Sequence, residues 1–228
     1  MAKGMLITFE GGEGSGKTTL CEKIAQYMET KGRGVLRVHE PGGTKLGEEI
    51  KKLLLEDRGY ELNPKAELFL FLASRAQLVE EVLRPALNQG KFVLCDRYID
   101  STVAYQAYGR GVDENTAREL NKFTVGTIEP DLTIVLDVET PVGLKRAKER
   151  EKINGREGDR IEKAMLGFHQ RVRQGYLSLV RAEPSRIKMV NGEDDIKKTE
   201  RAVKRHIENF LSKNRPEEDS KKADKPAE

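Results

Sequence analysis

The sequence predicts an α/β protein in which a five-stranded parallel sheet is covered by helices on both faces. Short, mostly apolar segments of strand length alternate with longer segments of helical periodicity over 228 residues. The segment 132–136 is almost wholly apolar, as expected of a strand that is buried on both sides. Ligands bind at the carboxyl ends of such strands, so the polar residues directly after them are candidates for a site. These candidates are Glu10, Glu40, Asp96, Arg97, Asp137 and Asn191.

The strands are predicted at 5–10, 35–39, 91–95, 132–136 and 186–190. The helices between them are predicted at 19–28, 45–56, 64–89, 101–107, 113–125, 141–149, 161–181 and 195–211. Pro64 suits a first helical turn, Asp113 suits an N-cap, and Arg84-Pro85 is a potential kink. We expect one domain over 1–212, with a loop over 108–112 and a charged loop over 150–159. The polar segment 213–228 is predicted to be a disordered tail.

Composition favours a soluble cytoplasmic protein. The 41 basic and 38 acidic residues give a net charge of only +3, which does not require a nucleic-acid partner. We expect no membrane association, because no signal peptide is evident and no apolar run approaches the length of a membrane span. Cys21 and Cys95 share no metal-ligand spacing and are expected to be buried, reduced thiols.

A glycine-rich loop follows the first predicted strand and precedes a helix. Gly, four residues and Gly-Lys-Thr form the pattern of a phosphate-binding loop, or P-loop. Its backbone N–H groups and the helix N-terminus attract phosphate oxygens. Lys17 would reach the β- and γ-phosphates of a nucleotide, and the Thr18 hydroxyl would ligate Mg²⁺. The predicted ATP-binding residues are Gly11, Gly12, Glu13, Gly14, Ser15, Gly16, Lys17, Thr18 and Thr19.

A glycine loop by itself does not distinguish kinases from GTPases and other ATPases. A GTPase should carry Asn-Lys-x-Asp, but Asn121-Lys122 is followed by Phe123-Thr124. Arg97 after the third strand suits an accepting phosphate, because its guanidinium binds phosphate in a bidentate manner. The alternative for Arg97 is a surface ion pair.

The motifs together resemble the bacterial thymidylate kinases from about Met5 to Leu211. The similarity rests on the glycine loop, Glu-Pro-Gly-Gly-Thr at 40–44, Asp-Arg-Tyr at 96–98, Ser-Thr-Val-Ala-Tyr-Gln at 101–106 and Asp-Arg-Ile-Glu at 159–162. The resemblance implies a three-layer P-loop kinase fold and transfer of the γ-phosphoryl group of ATP to dTMP, with Mg²⁺, by a homodimer. Kinases for other nucleoside monophosphates, and less so a P-loop ATPase or switch protein, stay open as alternatives.

The resemblance also implies residue roles. It places Lys17, Glu13, Arg97, Arg150 and Arg160 in the catalytic machinery. It places the nucleoside monophosphate against Glu40, Lys51, Phe71, Arg75, Asp96, Arg97, Thr102, Tyr105 and Gln106. From the sequence pattern alone, Phe71 is predicted to be a core residue and Arg75 a surface residue with a snorkelling side chain. The alternative for Glu13 is a solvated loop acid.

A lid over about 150–160 is implied as well. Some members of the family carry an arginine inside the glycine loop, where this chain has Gly14. The resemblance therefore implies that lid arginines supply positive charge to the transferring group. The alternative interpretation of this basic segment is a solvated helix end and loop. Arg156, within the segment, is a further candidate.

Overall fold

The computed structural model describes residues 4–155 and 158–213. Five parallel strands form one sheet in the order β2-β3-β1-β4-β5. Their bounds are β1 Met5–Glu10, β2 Val35–His39, β3 Phe92–Asp96, β4 Leu132–Asp137 and β5 Ile187–Asn191. Phe9 of β1 pairs with Asp96 on one side and with Ile134 on the other. The carboxyl ends of the three central strands therefore lie side by side, directly beside the glycine loop.

Nine α-helices connect and flank these strands in the described part of the chain. They are α1 Lys17–Thr30, α2 Lys45–Leu55, α3 Pro64–Leu78, α4 Arg84–Asn88, α5 Ile99–Thr102, α6 Glu114–Val125, α7 Thr140–Asn154, α8 Leu166–Ala182 and α9 Ile196–Lys213. A π-helical segment, Val79–Leu83, joins α3 to α4, and another, Val103–Gly109, continues α5. None of the described helices is long and apolar enough to cross a membrane.

The core lies on both faces of the sheet, as predicted. Successive strand residues point to opposite faces, so Leu6 and Ile7 of β1 belong to different clusters. Ile7 packs with residues of α1 and α9, whereas Leu6 packs with the α3–α4 region. A third cluster joins the Val103–Gly109 segment to α8. Cys21 and Cys95 are buried free thiols, which confirms that prediction.

Several predicted boundaries are wrong. Helix α7 continues to Asn154, and Gly155 in a left-handed conformation ends it, so half of the predicted loop 150–159 is helical. Helix α8 begins at Leu166 rather than at 161, because the Asp159 carboxylate accepts the N–H groups of Ile161 and Glu162 and forms a turn.

The long helix predicted for 64–89 is interrupted in a particular way. Its turns widen over Val79–Leu83, the turn that precedes Arg84-Pro85, because Pro85 lacks an N–H and crowds that turn. The helix predicted at 101–107 extends as π-helical turns to Gly109, which shortens the predicted loop 108–112. The final helix includes Lys213, and the rest of the predicted tail lies outside the described residues, as does Arg156.

Candidate active site

The glycine loop holds Lys17 at its centre. The Nζ of buried Lys17 donates to the carbonyl oxygens of Gly11 and Gly12 at 3.1 and 2.8 Å and to Ser15 Oγ at 3.1 Å. Gly16 takes the left-handed conformation at the N-terminus of α1, with φ of 90°. The loop therefore combines a buried ammonium with a helix N-terminus, which suits a polyphosphate.

Gly14 is the point at which the loop touches α7. A Cβ atom on Gly14 would lie 2.0 Å from the carbonyl oxygen of Gly143, and a Cβ on Gly143 would lie 2.3 Å from that of Glu13. Gly14 also has a φ of +65°. In this arrangement the loop has no space for an arginine at position 14, which gives a steric reason for the glycine.

Arg97 crosses from the end of β3 to the glycine loop. It has a φ of 70°, the one positive value among the non-glycine residues that the structure describes. Its Nη2 donates to Glu13 Oε1 at 2.8 Å, its Nη1 donates to the Gly11 carbonyl oxygen at 3.1 Å, and the guanidinium lies over the Tyr105 ring. Side-chain exposure is 17% for Arg97 and 13% for Glu13, so neither a solvated acid nor a surface ion pair describes them.

Glu13 and Lys17 have shifted pKa values that follow from this geometry. Burial alone would raise the pKa of Glu13, but the charges of Arg97 and Lys17 and the Tyr105 hydroxyl lower it to about 2. Burial, together with the nearby Arg97, lowers the pKa of Lys17 to about 8. At neutral pH the site thus holds an ionised carboxylate and a mostly charged ammonium.

Glu10 connects several elements around the site through buried hydrogen bonds. Its carboxylate accepts hydrogen bonds from Tyr98 N, from the Ser101 hydroxyl at 2.6 Å and from the Tyr176 hydroxyl at 2.8 Å. Burial and the neighbouring Asp100 raise the pKa of Glu10 to about 7. Because Glu10 connects β1 to α5 and α8, it holds in place the elements that surround Arg97.

One cleft of about 710 Å³ joins the loop to most of the other predicted residues. Its lining includes Glu13, Gly14, Ser15, Gly16, Lys17, Thr18, Thr19, Glu40, Lys51, Phe71, Arg75, Asp96, Arg97, Thr102, Tyr105, Gln106 and Arg150. Gly11 and Gly12 line a smaller cavity behind the loop. Residues predicted from separate motifs therefore meet around one volume, large enough for two ligands held end to end.

Arg75 forms the far wall of the cleft. It is 1% exposed, so the expectation of a surface residue is wrong. Its guanidinium donates to Glu40 Oε2 at 2.7 Å, to Thr102 Oγ1 at 2.8 Å and to Asn121 Oδ1 at 2.6 Å. Burial raises the pKa of Glu40 to about 7 although Arg75 lies beside it.

Phe71 lies one helical turn before Arg75. It is only partly buried, lines the cleft and packs against the third core cluster. Phe71 is therefore not wholly a core residue. Its place in the cleft wall leaves aromatic surface available to a planar ligand.

Thr18 and Asp96 provide oxygen atoms suited to Mg²⁺. The Thr18 hydroxyl donates to Asp96 Oδ2 at 2.5 Å, in front of the loop. Among the described residues, no group of three or more His, Cys, Asp or Glu side chains could hold a metal ion by itself. The two oxygens still fit Mg²⁺, which commonly keeps only one or two protein ligands and takes the others from phosphates and water.

The two lid arginines and Lys51, a predicted substrate-binding residue, occupy different positions. Arg150 on α7 lines the cleft and pairs with Glu162. Arg160 instead donates to the Leu54 carbonyl oxygen at 3.1 Å and to Glu67 Oε2 at 2.6 Å. Lys51 lies at the edge of the cleft and is 3.7 Å from Glu48. Of these residues, Arg150 and Lys51 line the cleft directly.

Comparison with known proteins identifies the family of the chain. The family model described as thymidylate kinase matches residues 9–203. The chain belongs to the thymidylate kinase family. The thymidylate kinase of Syntrophotalea carbinolica is 50% identical over 186 residues, which cover 81% of this chain and 86% of that protein. The thymidylate kinase of Chlorobium luteolum is 48% identical over 191 residues, covering 82% of this chain and 89% of the relative.

A solved structure agrees with the fold. The crystal structure of thymidylate kinase from Ehrlichia chaffeensis matches with a TM-score of 0.72 and 33% sequence identity, and the match covers 90% of this chain and 98% of that chain. The predicted P-loop kinase fold with its five-stranded parallel sheet is thereby confirmed.

Sequence reasoning missed two residues beside the site. Tyr176 donates to Glu10, but it lies with Phe168 and Val172 at helical spacing in α8, so its hydroxyl is hidden within an apolar pattern. Glu67 is 1% exposed and binds Arg110, Arg160 and Gln106. Its position four residues before Phe71 was a usable signal, because residues four apart share a helix face.

Proposed function

We propose that this protein transfers the γ-phosphoryl group of ATP to dTMP and produces dTDP and ADP. One observation carries the proposal: Lys17 of the glycine loop, Arg97 and Phe71 line the same cleft. Membership of the thymidylate kinase family supports it. Phosphoryl transfer needs little covalent chemistry from a protein, so positioning and charge suffice to explain catalysis.

On the donor side, the loop amides and Lys17 bind the ATP phosphates. Thr18 and Asp96 would hold Mg²⁺, which would supply positive charge beside the phosphate oxygens. Lys17, which donates to Gly11, Gly12 and Ser15 in the free protein, exchanges these bonds for bonds to phosphate oxygens.

On the acceptor side, Arg97 binds the phosphate of dTMP, and its bond to Glu13 holds the guanidinium in place. Phe71 stacks on the base, while Arg75, Thr102, Tyr105 and Gln106 form the walls around the nucleoside. Glu40 orients Arg75. Glu13 stays ionised, so it serves as an acceptor beside the deoxyribose and the transferring phosphate rather than as a proton donor.

We further propose that the segment around 150–160 acts as a lid, that the protein works as a homodimer, and that it is cytoplasmic. Arg150, at the border of the cleft, is the better-placed lid arginine. Phe69 is 59% exposed on α3 and supports an interface there. Dimerisation is tested by analytical ultracentrifugation, in which Phe69→Glu should shift the mass toward that of the monomer.

Rates with different acceptors test the activity. With ATP and Mg²⁺ we expect dTMP to be the best of dTMP, dUMP, dCMP and dGMP in kcat/KM. Equal turnover of dCMP would favour a kinase of broader specificity. ATP hydrolysis that is independent of any monophosphate would contradict the proposal.

Arg97→Ala separates acceptor binding from donor binding. We expect kcat/KM for dTMP to fall by on the order of a hundredfold or more, because a charged hydrogen-bonding partner of the phosphate is lost. KM for ATP should change much less. A loss confined to ATP would place Arg97 on the donor phosphates instead.

A further inference from the structure

Glu67 connects the base-binding wall of the cleft to two arginines. Its Oε1 accepts Gln106 Nε2 at 3.1 Å and Arg110 Nε at 3.0 Å, while its Oε2 accepts Arg160 Nη2 at 2.6 Å. The side chain is almost completely buried on the first turn of α3. A buried carboxylate with these partners has a fixed orientation.

The partners also fix the charge of Glu67. Burial opposes ionisation, but the hydrogen bonds and charges of Arg110 and Arg160 lower the pKa of Glu67 below its ordinary value. An ionised carboxylate can only accept hydrogen bonds. Its neighbour Gln106 must therefore turn the NH₂ group of its amide, and not its oxygen, toward Glu67.

This constraint determines what Gln106 offers to the cleft. Gln106 lines the cleft near Phe71 and Thr102. No donor from the described part of the chain bonds to its Oε1. Nε2 is held by Glu67, so the amide atom that has no partner among the described residues is Oε1, an acceptor.

We propose that Glu67 is a specificity-determining positioning residue, which holds the Gln106 amide so that Oε1 accepts the N3–H of a lactam pyrimidine. This proposal rests on the proposed function. Thymine and uracil carry a donor at N3, whereas cytosine carries an acceptor there. An acceptor facing cytosine N3 leaves two lone pairs opposed, so cytosine nucleotides are rejected.

Glu67→Met tests the orientation. It removes the carboxylate that binds the Gln106 NH₂ group and keeps a side chain of similar length. Without that acceptor, the Gln106 amide is free to turn its NH₂ group, a donor, toward the cleft. We expect the ratio of kcat/KM for dTMP to that for dCMP to fall roughly tenfold or more. The ratio of dTMP to dUMP should not change, because both bases carry N3–H.

Two further variants separate orientation from general damage. Arg110→Gln removes one ion pair of Glu67 but keeps the acceptor for Gln106, so the dTMP to dCMP ratio should stay at the wild-type value. Gln106→Leu removes the amide and should lower the ratio to a similar extent as Glu67→Met. The double variant Glu67→Met/Gln106→Leu should lower it no further than Gln106→Leu alone, because Glu67 acts on the base through Gln106.

The results distinguish this inference from the proposed function. Equal losses with dTMP, dUMP and dCMP in Glu67→Met would overturn the inference and leave Glu67 with a structural role. If Glu67→Met does not fold, an unchanged ratio in Gln106→Leu would overturn it equally. Failure of the wild-type protein to phosphorylate dTMP would instead overturn the proposed function.

Discussion

The donor and acceptor ends of the cleft are built in different ways. In the glycine loop, the three hydrogen bonds of Lys17 Nζ reach partners two, five and six residues away. At the acceptor wall, the guanidinium of Arg75 reaches partners between 23 and 46 residues away. The donor site is thus made by one short segment, whereas the acceptor site exists only after several helices and loops have packed together.

This difference predicts different consequences of substitution. Loop side chains that bind phosphate carry little of the core, so their loss should affect turnover and leave stability intact. The side chains of the acceptor wall are buried between elements, so their loss should affect stability and binding together. The substitutions below separate the two behaviours.

Lys17→Ala should have the largest effect on turnover. We expect kcat to fall roughly a thousandfold or more, because a cation at the transferring phosphate is removed. The midpoint of urea unfolding should stay close to that of the wild type. Lys23→Ala on the same helix, which removes a surface ion pair with Glu200, is the matched control and should retain activity. A large decrease in the urea midpoint of Lys17→Ala would contradict the proposed difference between the donor and acceptor ends of the cleft.

Arg75→Met should have the largest effect on stability. It leaves Glu40 buried without its cation, and breaking such a pair costs about 3–5 kcal/mol. Protonation of Glu40, whose pKa is already about 7, limits the loss at lower pH. Urea unfolding measures it, and addition of Glu40→Gln should recover part of the stability. A loss of dTMP affinity at unchanged stability would mean that Arg75 acts only on the ligand.

Phe71→Ala should have a smaller, mixed effect. Loss of a stacking surface should raise KM for dTMP roughly tenfold, because aromatic stacking on a base is worth about 1–3 kcal/mol. Phe123, which is 87% exposed on α6 and does not line the cleft, provides the control Phe123→Ala, which should keep the KM for dTMP. If Phe71→Ala unfolds the protein while dTMP affinity stays normal in the folded fraction, the core interpretation is correct.

Alkaline pH should produce a gradual loss of ATP affinity rather than an abrupt one. Because the pKa of Lys17 is about 8 in the free protein, its ammonium loses the proton as the pH rises through that value. Affinity for ATP should therefore fall above pH 8, by up to tenfold for each pH unit. Titration calorimetry at about pH 7 to 9.5 measures this, and Lys17→Ala should lack the pH dependence. The same slope in Lys17→Ala would assign it to another group.

A decrease in pH should change the contributions of Glu13 and Glu10 to the stability of the fold in opposite directions. The folded-state pKa of Glu13 is about 2, below the ordinary glutamate value of 4.5, so its ionisation stabilises the fold above pH 4.5, and this contribution is lost as the pH falls toward 2. The pKa of Glu10 is raised to about 7, so the folded protein binds this proton more tightly than the unfolded chain does. The contribution of Glu10 to stability therefore decreases as the pH rises from 4.5 to 7.

The sequence was most informative where structure is local. All five strands lie within one residue of their predicted positions. A strand and the turns around it depend on residues that are adjacent in the chain, so the local sequence predicts them. The end of α7 and the start of α8 were less predictable. Gly155 as a helix stop and the Asp159 side chain as a turn-forming acceptor compete with the helical pattern of the charged residues around them.

By itself, the sequence determined the sheet, the glycine loop and the family resemblance, because these depend on the periodicity and spacing of adjacent residues. Only the tertiary structure decided that Arg75 is fully buried, that Gly14 touches Gly143, and that Glu67 holds Gln106 and Arg160. These contacts join residues that are far apart in the chain. Packing and the need to pair buried charges decide which residues come into contact. A local sequence pattern does not predict either of them.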